Sequence, residues 1–256
     1  MHAGDQDVMA MNGAALRRFR RERTAMVFQK FALFPHLTIL ENVGFGLQIQ
    51  HIKRRHREET ARRWIDRVGL AGYEDSYPNQ LSGGMQQRVG LARALANGAS
   101  ILLMDEAFSA LDPLIRAGMQ SVLLDLQQEL SKTIVFITHD LDDALRLGGN
   151  IAILRDGEVI QQGTGQQIVL QPADDYIASF TKDVNRGRVI RCRTLLTPGD
   201  AVAGPTVAAS LVIEEAARLL SLENCDSANV VSTKGWHLGR ISLGDFIAAM
   251  VPPKHA

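Results

Sequence analysis

The sequence of 256 residues is poor in cysteine, in net charge and in long apolar segments. Its two cysteines, Cys192 and Cys225, are too few for a disulfide framework or a metal cluster, which favours a reducing cytosol. The 28 basic and 28 acidic residues cancel, so bulk charge gives no sign of nucleic-acid binding. Five arginines at 17–23 are interpreted as a solvated helix face rather than a phosphate or lipid patch. Without a signal core or an apolar run near the roughly 18 residues of a membrane helix, any membrane role is expected to go through a partner.

Short apolar runs alternate with helical patterns across residues 1–180, which predicts an α/β domain. The runs that predict strands are MVF (26–28), ILLMD (101–105), TIVFIT (133–138) and IAIL (151–154). Continuous apolar runs rich in β-branched residues are typical of parallel strands buried on both faces of a sheet. Helical patterns at 53–70 and 85–97 predict a helical subdomain, at about 36–97, on this parallel core.

A polar, turn-rich stretch at 181–200 predicts a linker to a small second unit, residues 201–256. This unit is expected to be α+β. It should contain a helix near 211–223, strands at 229–232 and near 239–242, and a last helix from Asp245.

The string LSGGMQQRVGLARALA at 81–96 places a Ser-Gly-Gly turn before an amphipathic helix. A helix N-terminus presents unpaired N–H groups and a partial positive charge, both suited to a phosphate. Glycines allow close approach of the anion to the backbone, and the Ser82 hydroxyl can donate to it. The tripeptide alone is better explained by a plain serine cap, so the longer string carries the phosphate-binding interpretation.

The apolar run at 101–106 ends in two adjacent carboxylates, Asp105 and Glu106. A carboxylate at the end of a buried strand can hold Mg²⁺ directly or through water. The next carboxylate can act as general base on an attacking water. Acidic residues are also common at strand ends without such a role, and these two residues alone leave that alternative open.

His139 follows the apolar run TIVFIT, and the C-terminal end of a strand is where α/β sheets bind ligands. His139 can donate a hydrogen bond to a terminal phosphate, although a lone histidine is more often structural. Gln29 is followed by an apolar segment from Phe31 to Leu40. Together with Phe28, this segment predicts an exposed aromatic patch of the kind that marks a partner site.

The motifs occur in the order of the Q-loop, signature, Walker B, D-loop and H-loop of ABC-type ATPases, which the chain resembles. They are Gln29, LSGGM at 81–85, ILLMDE at 101–106, SALD at 109–112 and THD at 138–140. Met85 stands where the family usually has glutamine. The resemblance implies ATP and Mg²⁺ as cofactors and a RecA-like parallel sheet with a helical subdomain. It also implies catalysis by Glu106 and His139, metal binding by Asp105 and Gln29, and nucleotide binding by Gln29, Ser82, Gly83, Gly84, Gln86 and Asp112.

Two longer strings resemble more narrowly the importers of quaternary amines such as glycine betaine and choline, and of proline. They are RERTAMVFQKFALFPHLTILENVGFGL and DYIASFTKDVNRGRVIRC. This resemblance implies a second ATP-binding subunit and a transmembrane permease that contacts the segment from Phe31 to Leu40. It also implies an indirect partner, a periplasmic or extracellular substrate-binding protein, and a peripheral location on the cytoplasmic face of the membrane.

Residues 195–251 look like one CBS motif, although this subfamily usually has a pair. The second motif is expected either to come from a dimer partner or to be lost. In CBS motifs an S/T-x-x-D can hold a ribose hydroxyl, so Ser242 and Asp245 are candidates for binding an adenine nucleotide. The same residues would also form an ordinary serine-capped helix with an acidic first turn.

No G-x-x-x-x-G-K-[S/T] occurs in the sequence. In the family this Walker A motif and the A-loop lie upstream of the Q-loop, and here only 28 residues precede Gln29. The resemblance leads us to expect that the chain begins after the P-loop, whose backbone and lysine cradle the phosphates. Exposed apolar surface and low stability are expected of this chain alone.

The favoured function is that of an ATP-hydrolysing subunit that energises import of glycine betaine, a related quaternary amine or proline. An alternative is a hydrolysis-deficient regulatory or fragment chain that donates its signature motif to an intact partner ATPase. A repair or chromosome-organising ATPase is disfavoured, because the sequence has none of the long coils or zinc modules that separate the halves of those proteins.

Overall fold

The computed structural model describes residues 2–4, 6–109, 111–130 and 132–251, which form two compact units. The first unit is Met1–Asp140 and the second is Leu141–Ala256. The domain limits expected from the sequence, with a linker at 181–200, stay a prediction, because packing alone does not define a domain. Residues 252–256 of the predicted second domain lie outside the described residues.

A parallel three-stranded sheet forms the centre of the first unit. It follows a short antiparallel ribbon of β1 (His2–Ala3) and β2 (Gln6–Asp7). The sheet has the order β3-β4-β5, made of Thr24–Val27, Ile101–Asp105 and Thr133–Ile137. The prediction of parallel strands is therefore confirmed for these three apolar runs.

The two faces of this sheet differ in burial, which corrects the prediction that the strands are buried on both faces. Successive side chains alternate between faces, and Leu102 and Met104 are buried on one of them. The other face exposes three large side chains, Met26 by 37%, Val135 by 48% and Ile137 by 60%. The exposed apolar surface expected from the sequence is confirmed at this face.

Three helices between β3 and β4 pack against one another and build the predicted helical region. The helices of the first unit are α1 (Gly13–Arg23), α2 (Ile39–Ile49), α3 (Arg54–Arg67), α4 (Gly83–Ala96) and α5 (Pro113–Leu130). Short 3₁₀ turns lie at Val8–Ala10 and Pro78–Gln80. Helix α4 begins two residues before the predicted start at 85, because Ser82 caps its N-terminus.

The second unit contains two small sheets and six short helices among its described residues. Its helices are α6 (Leu141–Leu147), α7 (Gly165–Leu170), α8 (Asp175–Phe180), α9 (Cys192–Leu195), α10 (Ile213–Glu223) and α11 (Leu243–Met250), with a 3₁₀ turn at Arg186–Arg188. One sheet is the hairpin of β6 (Ile151–Arg155) and β7 (Glu158–Gly163). The other has the order β10-β9-β8, made of His237–Ser242, Ser227–Val231 and Thr206–Ala208. The helix, the two strands and the last helix predicted within residues 201–256 are present as α10, β9, β10 and α11.

The run IAIL is not a strand of the parallel sheet, which corrects its assignment from sequence. It forms β6, which pairs antiparallel with β7, and its buried residues Ile151 and Ile153 alternate with exposed ones. The Asp156-Gly157 turn that closes the hairpin has positive φ at both residues, 53° and 85°. An Asp-Gly pair between short apolar strands favours such a hairpin turn. This pair indicates an antiparallel hairpin here, whereas the apolar run alone suggested a parallel strand.

Cys192 is fully buried in the core of the second unit, whereas Cys225 is partly exposed. Burial raises the pKa of the Cys192 thiol to about 11, so at pH 8 this thiol stays protonated and unreactive. We expect dithionitrobenzoate at pH 8 to modify Cys225 in the folded chain and Cys192 only after unfolding in denaturant. Equal rates for the two thiols in the folded chain would contradict the packing of this core.

Candidate active site

Polar side chains from three neighbouring strands meet at the carboxyl edge of the parallel sheet. Gln29 follows β3, Glu106 follows β4 and His139 follows β5. The Gln29 Nε2 donates to Glu106 Oε2 over 2.8 Å, and His139 Nδ1 lies 3.3 Å from Glu106 Oε1. The structure therefore brings together three of the residues singled out from sequence, with Glu106 at their centre.

The backbone at Glu106 is held in a left-handed conformation that non-glycine residues rarely adopt. Its φ is +44°, which costs on the order of 1–3 kcal/mol. The Glu106 N–H donates to Ile137 O over 2.9 Å, and its carbonyl accepts from the Ser109 amide and hydroxyl at 3.1 and 2.9 Å. Such strain is concentrated at functional sites, and here it occurs at the residue whose carboxylate contacts Gln29 and His139.

The carboxylate of Glu106 is accessible to water. Its side chain is 31% exposed and that of His139 is 68% exposed. An accessible carboxylate fixed by an amide donor can accept a proton from a bound water, which is the geometry a general base requires. Asp105, in register with Ile137, ends β4 as a partly buried residue on the sheet face that exposes Val135.

Oxygen atoms at this edge are of the kind that suits a magnesium ion. No cluster of three or more histidine, cysteine, aspartate or glutamate residues in metal-binding arrangement occurs in the described part of the chain. Mg²⁺ in phosphate-transfer sites takes one or two protein oxygens and completes its shell with water and phosphate. The carboxylate of Asp105 and the amide oxygen of Gln29 could supply such oxygens, because Gln29 uses its nitrogen to bind Glu106.

The Ser-Gly-Gly turn is fully formed at the start of α4. Ser82 and Gly83 are exposed, and the Ser82 Oγ accepts from the Met85 N–H at 3.4 Å, so the plain cap is present. A Cβ at Gly84 would come within 2.9 Å of the Ile115 side chain, whereas the space around Gly83 is open. The Gln86 amide donates to Leu81 O over 3.1 Å, which holds the turn in shape.

Asp112 acts as a cap at the start of α5. Its Oδ1 accepts from the N–H groups of Leu114 and Ile115, both at 3.1 Å. Ala110 of the SALD string lies outside the described residues. The nucleotide contacts assigned to Asp112 and to Gln86 stay predictions.

Ser242 and Asp245 form a reciprocal capping box on α11. Ser242 N and Oγ donate to Asp245 Oδ2 at 2.8 and 2.7 Å, and Asp245 N donates back to Ser242 Oγ at 3.3 Å. This is the arrangement of the ordinary capped helix, and it moves the helix start to Leu243 instead of the predicted Asp245. Nucleotide binding by this pair stays a prediction.

The segment from Phe31 to Leu40 is less exposed than its sequence suggests. Phe31 and Phe34 are partly buried, and the Phe34 ring lies against Phe45 with centroids 4.3 Å apart. Phe28, exposed by 40%, is the large aromatic residue that remains open there. The aromatic patch is therefore smaller than predicted, because the helical region covers part of it.

Sequence reasoning missed two residues that shape this segment, Asn42 and Arg93. Asn42 of α2 is fully buried and bonds the backbone at Phe34, Leu37 and Thr38. Arg93 of α4 bonds two backbone carbonyls of the segment, and burial lowers the pKa of its guanidinium. A polar or charged residue within an otherwise buried helix was the signal, because such a group needs a hydrogen-bonding partner.

The chain is similar in sequence to known transport proteins. The ABC transporter family profile matches residues 2–109. A glycine betaine transport ATP-binding protein of Bacillus subtilis is 51% identical over 205 residues, covering 79% of this chain and 49% of the relative. The glycine betaine/proline betaine transport ATP-binding protein ProV of Escherichia coli is 48% identical over 216 residues, covering 82% and 54%. The chain thus spans about half the length of these curated relatives.

A solved ATP-binding cassette in a dimeric post-hydrolysis state with ADP and Pi shares the fold. It has a TM-score of 0.59 and 35% identity, over 64% of this chain and 72% of that one. The chain belongs to the ABC transporter family, as an α/β ATP-binding cassette. Within that family it is similar to the ATP-binding subunits of quaternary-amine importers.

Proposed function

We propose that this chain is part of an ATP-hydrolysing subunit that energises import of glycine betaine or a related quaternary amine or proline. The observation that carries the proposal is the contact of Gln29 and His139 with the strained, water-accessible Glu106. The similarity to ATP-binding proteins of glycine betaine and proline betaine transport supports the substrate class. The substrate itself is chosen outside this chain, by the permease and the substrate-binding protein.

In the proposed reaction, Glu106 accepts a proton from the water that attacks the γ-phosphate. Gln29 holds the carboxylate in place through its amide N–H. His139, largely exposed beside Glu106, donates a hydrogen bond to the γ-phosphate. Asp105 and the Gln29 oxygen would hold Mg²⁺, which when bound offsets the charge of the phosphates.

The proposed active unit is a dimer on the cytoplasmic face of the membrane, in which each ATP lies between two chains. Glu106 serves the ATP of its own chain, whereas Ser82, Gly83, Gly84 and Gln86 serve that of the partner. The open, positively polarised N-terminus of α4 supports this role for the turn. The segment from Phe31 to Leu40 is proposed to contact the permease. Every helix in the part of the chain that the structure describes is too short or too polar to span a lipid bilayer.

A second candidate is a regulatory chain that supplies only its signature turn to an intact ATPase. The observation in its favour is that this turn is complete and exposed, while no G-x-x-x-x-G-K-[S/T] occurs in the 256 residues. A pull-down with a full-length ATP-binding partner, with and without ATP, tests it. Absence of association under both conditions would remove this candidate.

Gly83→Asp is expected to stop hydrolysis without harming the fold. The site is open and lies in the first turn of α4, so an added carboxylate meets no clash and suits the helix dipole. The same charge repels an incoming phosphate, so we expect a loss of about 100-fold in the hydrolysis rate of the full-length protein. Gly118→Asp, at an exposed and open helical glycine of α5, is the matched control and should keep wild-type turnover.

Mixing Gly83→Asp chains with Glu106→Gln chains tests whether the turn acts across a dimer. If each site joins Glu106 of one chain to the turn of the other, each mixed dimer contains one intact site. Random assembly should then recover up to about a quarter of wild-type activity, although each variant alone is inactive. A mixture as inactive as its parts would place both defects in the same site and contradict the proposed dimer.

The transport assignment is tested by reconstituting the full-length protein with its permease and substrate-binding protein in vesicles. We expect ATP-dependent uptake of labelled glycine betaine, choline or proline, with ATP hydrolysis that rises with substrate. Hydrolysis without uptake of any of these compounds would refute the assigned substrate class.

A further inference from the structure

Arg93, in the third turn of α4, binds the loop that carries Gln29. Its Nη1 donates to Ala32 O over 2.7 Å and its Nη2 donates to Phe31 O over 2.9 Å. The guanidinium carbon also lies 5.9 Å from the centroid of the Phe34 ring. The planar fork of an arginine can bind two neighbouring acceptors at once, which a lysine cannot do.

The two carbonyls belong to a turn with an unusual backbone. Phe31 and Ala32 have φ values of +57° and +46°, a left-handed pair that side-chain-bearing residues adopt only when other contacts hold them. Local bonds are few: Phe31 N donates to Phe28 O at 3.0 Å and Ala32 N to Lys30 O at 2.5 Å. The guanidinium of Arg93 adds two charge-assisted hydrogen bonds to this turn. Arg93 lies 61 residues after Ala32 and 62 residues after Phe31 in the sequence.

The same turn begins at the residue that contacts the candidate general base. Gln29 lies two residues before Phe31 and donates to Glu106 over 2.8 Å. One continuous path therefore runs from α4 through Arg93 to the turn, and from the turn through Gln29 to Glu106. Helix α4 also carries the Ser-Gly-Gly turn at its N-terminus.

We propose that Arg93 is a positioning residue that holds the left-handed turn at Phe31 and Ala32, and so keeps Gln29 against Glu106. Through this path the helix that bears the Ser-Gly-Gly turn, which is proposed to serve the partner's ATP, is connected to the carboxylate that serves the ATP of its own chain. The consequence for hydrolysis rests on the function proposed above, whereas the effect on the loop does not.

Arg88 offers a matched control on the same helix. Its Nη1 donates to two backbone carbonyls, Val68 O and Gly69 O, both at 3.4 Å. These lie at the end of α3 and not in the Gln29 loop. Arg88→Met thus removes the same kind of contact from α4 without touching the proposed path.

Hydrogen–deuterium exchange of the 256-residue chain tests the structural part without any nucleotide. In Arg93→Met, amides of a peptide spanning 28–34 should exchange about tenfold faster, while Arg88→Met should leave them unchanged. Arg93→Lys keeps the charge but cannot bind both carbonyls at once, so its exchange rate should lie between those of wild type and Arg93→Met. Unchanged exchange in Arg93→Met, or an equal change in Arg88→Met, would overturn the proposal.

Steady-state hydrolysis by the full-length protein tests the catalytic part. We expect Arg93→Met to lower kcat about tenfold, with less than about a twofold change in KM for ATP, because only positioning is lost. Because Arg93 is proposed to act only through Gln29, adding Arg93→Met to Gln29→Ala should lower kcat little further. Faster exchange with normal kcat would overturn the link to Glu106, whereas a wild-type protein without any hydrolysis would refute the proposed function instead.

Discussion

Glu106→Gln is expected to abolish ATP turnover while leaving ATP binding intact. The substitution keeps the size of the side chain and an oxygen that can accept the Gln29 N–H, but it removes the group that takes a proton from water. A positioned general base contributes about 10²–10⁴ to a rate, so a loss of about 1,000-fold in kcat is expected. The measurement is steady-state phosphate release beside equilibrium binding of a fluorescent ATP analogue, both with the full-length protein.

The control for this prediction is Glu158→Gln, at an exposed carboxylate on β7 of the second unit. It makes the same chemical change away from the site and should retain wild-type turnover. Sustained steady-state hydrolysis by Glu106→Gln would remove Glu106 from the role of base. Lost binding together with lost turnover would instead indicate that the carboxylate shapes the nucleotide site.

Asn42→Ala is expected to destabilise the first unit by about 3 kcal/mol, because it leaves several buried backbone groups without a hydrogen-bond partner. The Asn42 side chain accepts from Phe34 N at 2.8 Å and donates to Phe34 O, Leu37 O and Thr38 O at 3.0–3.1 Å. Alanine fills none of these roles, and the side chain it replaces is 0% exposed. A loss of that size lowers the folding equilibrium constant by about two orders of magnitude.

Urea unfolding followed by tryptophan fluorescence measures this loss. The buried Trp64 reports on the first unit, and Trp236→Phe removes the signal of the second tryptophan, which is 71% exposed. Asn229→Ala is the matched control, because Asn229 makes similar bonds to Val202 and Gly204 within the second unit. An Asn42→Ala transition that coincides with wild type would show that water replaces these bonds.

Much of the site could be predicted from short motifs, because each motif carries residue types that suit one chemical role and because the strands before them end at one edge of the sheet. The motifs around Gln29, Glu106 and His139 predicted a common nucleotide site, and the three parallel strands that precede these residues end at one edge of the sheet. The structure brings these residues within hydrogen-bond reach of one another. The N-terminus of α4 was equally predictable, since a serine before two glycines and a helical pattern is a local signal.

Other features depend on contacts that local patterns do not encode. The hydrogen bonds of Arg93 to Ala32 and Phe31 join residues that are 61 and 62 positions apart. A periodic sequence pattern does not predict such contacts. The left-handed backbone at Glu106 likewise follows from contacts with Ile137 and Ser109 rather than from residue type. Burial of only one sheet face could not be read from apolar runs, because such runs report hydrophobicity and not what covers it.

We propose that Gln29, Glu106 and His139 act as one hydrolytic unit, and a mutant cycle on kcat tests this proposal most directly. The variants are Gln29→Ala, Glu106→Gln and His139→Ala, alone and combined, in the full-length protein, with folding checked by urea unfolding. Residues that act as a unit are strongly non-additive, so we predict that the triple variant is no slower than Glu106→Gln alone. If the losses in kcat multiply across the three substitutions, the three residues act independently, which would contradict the proposal.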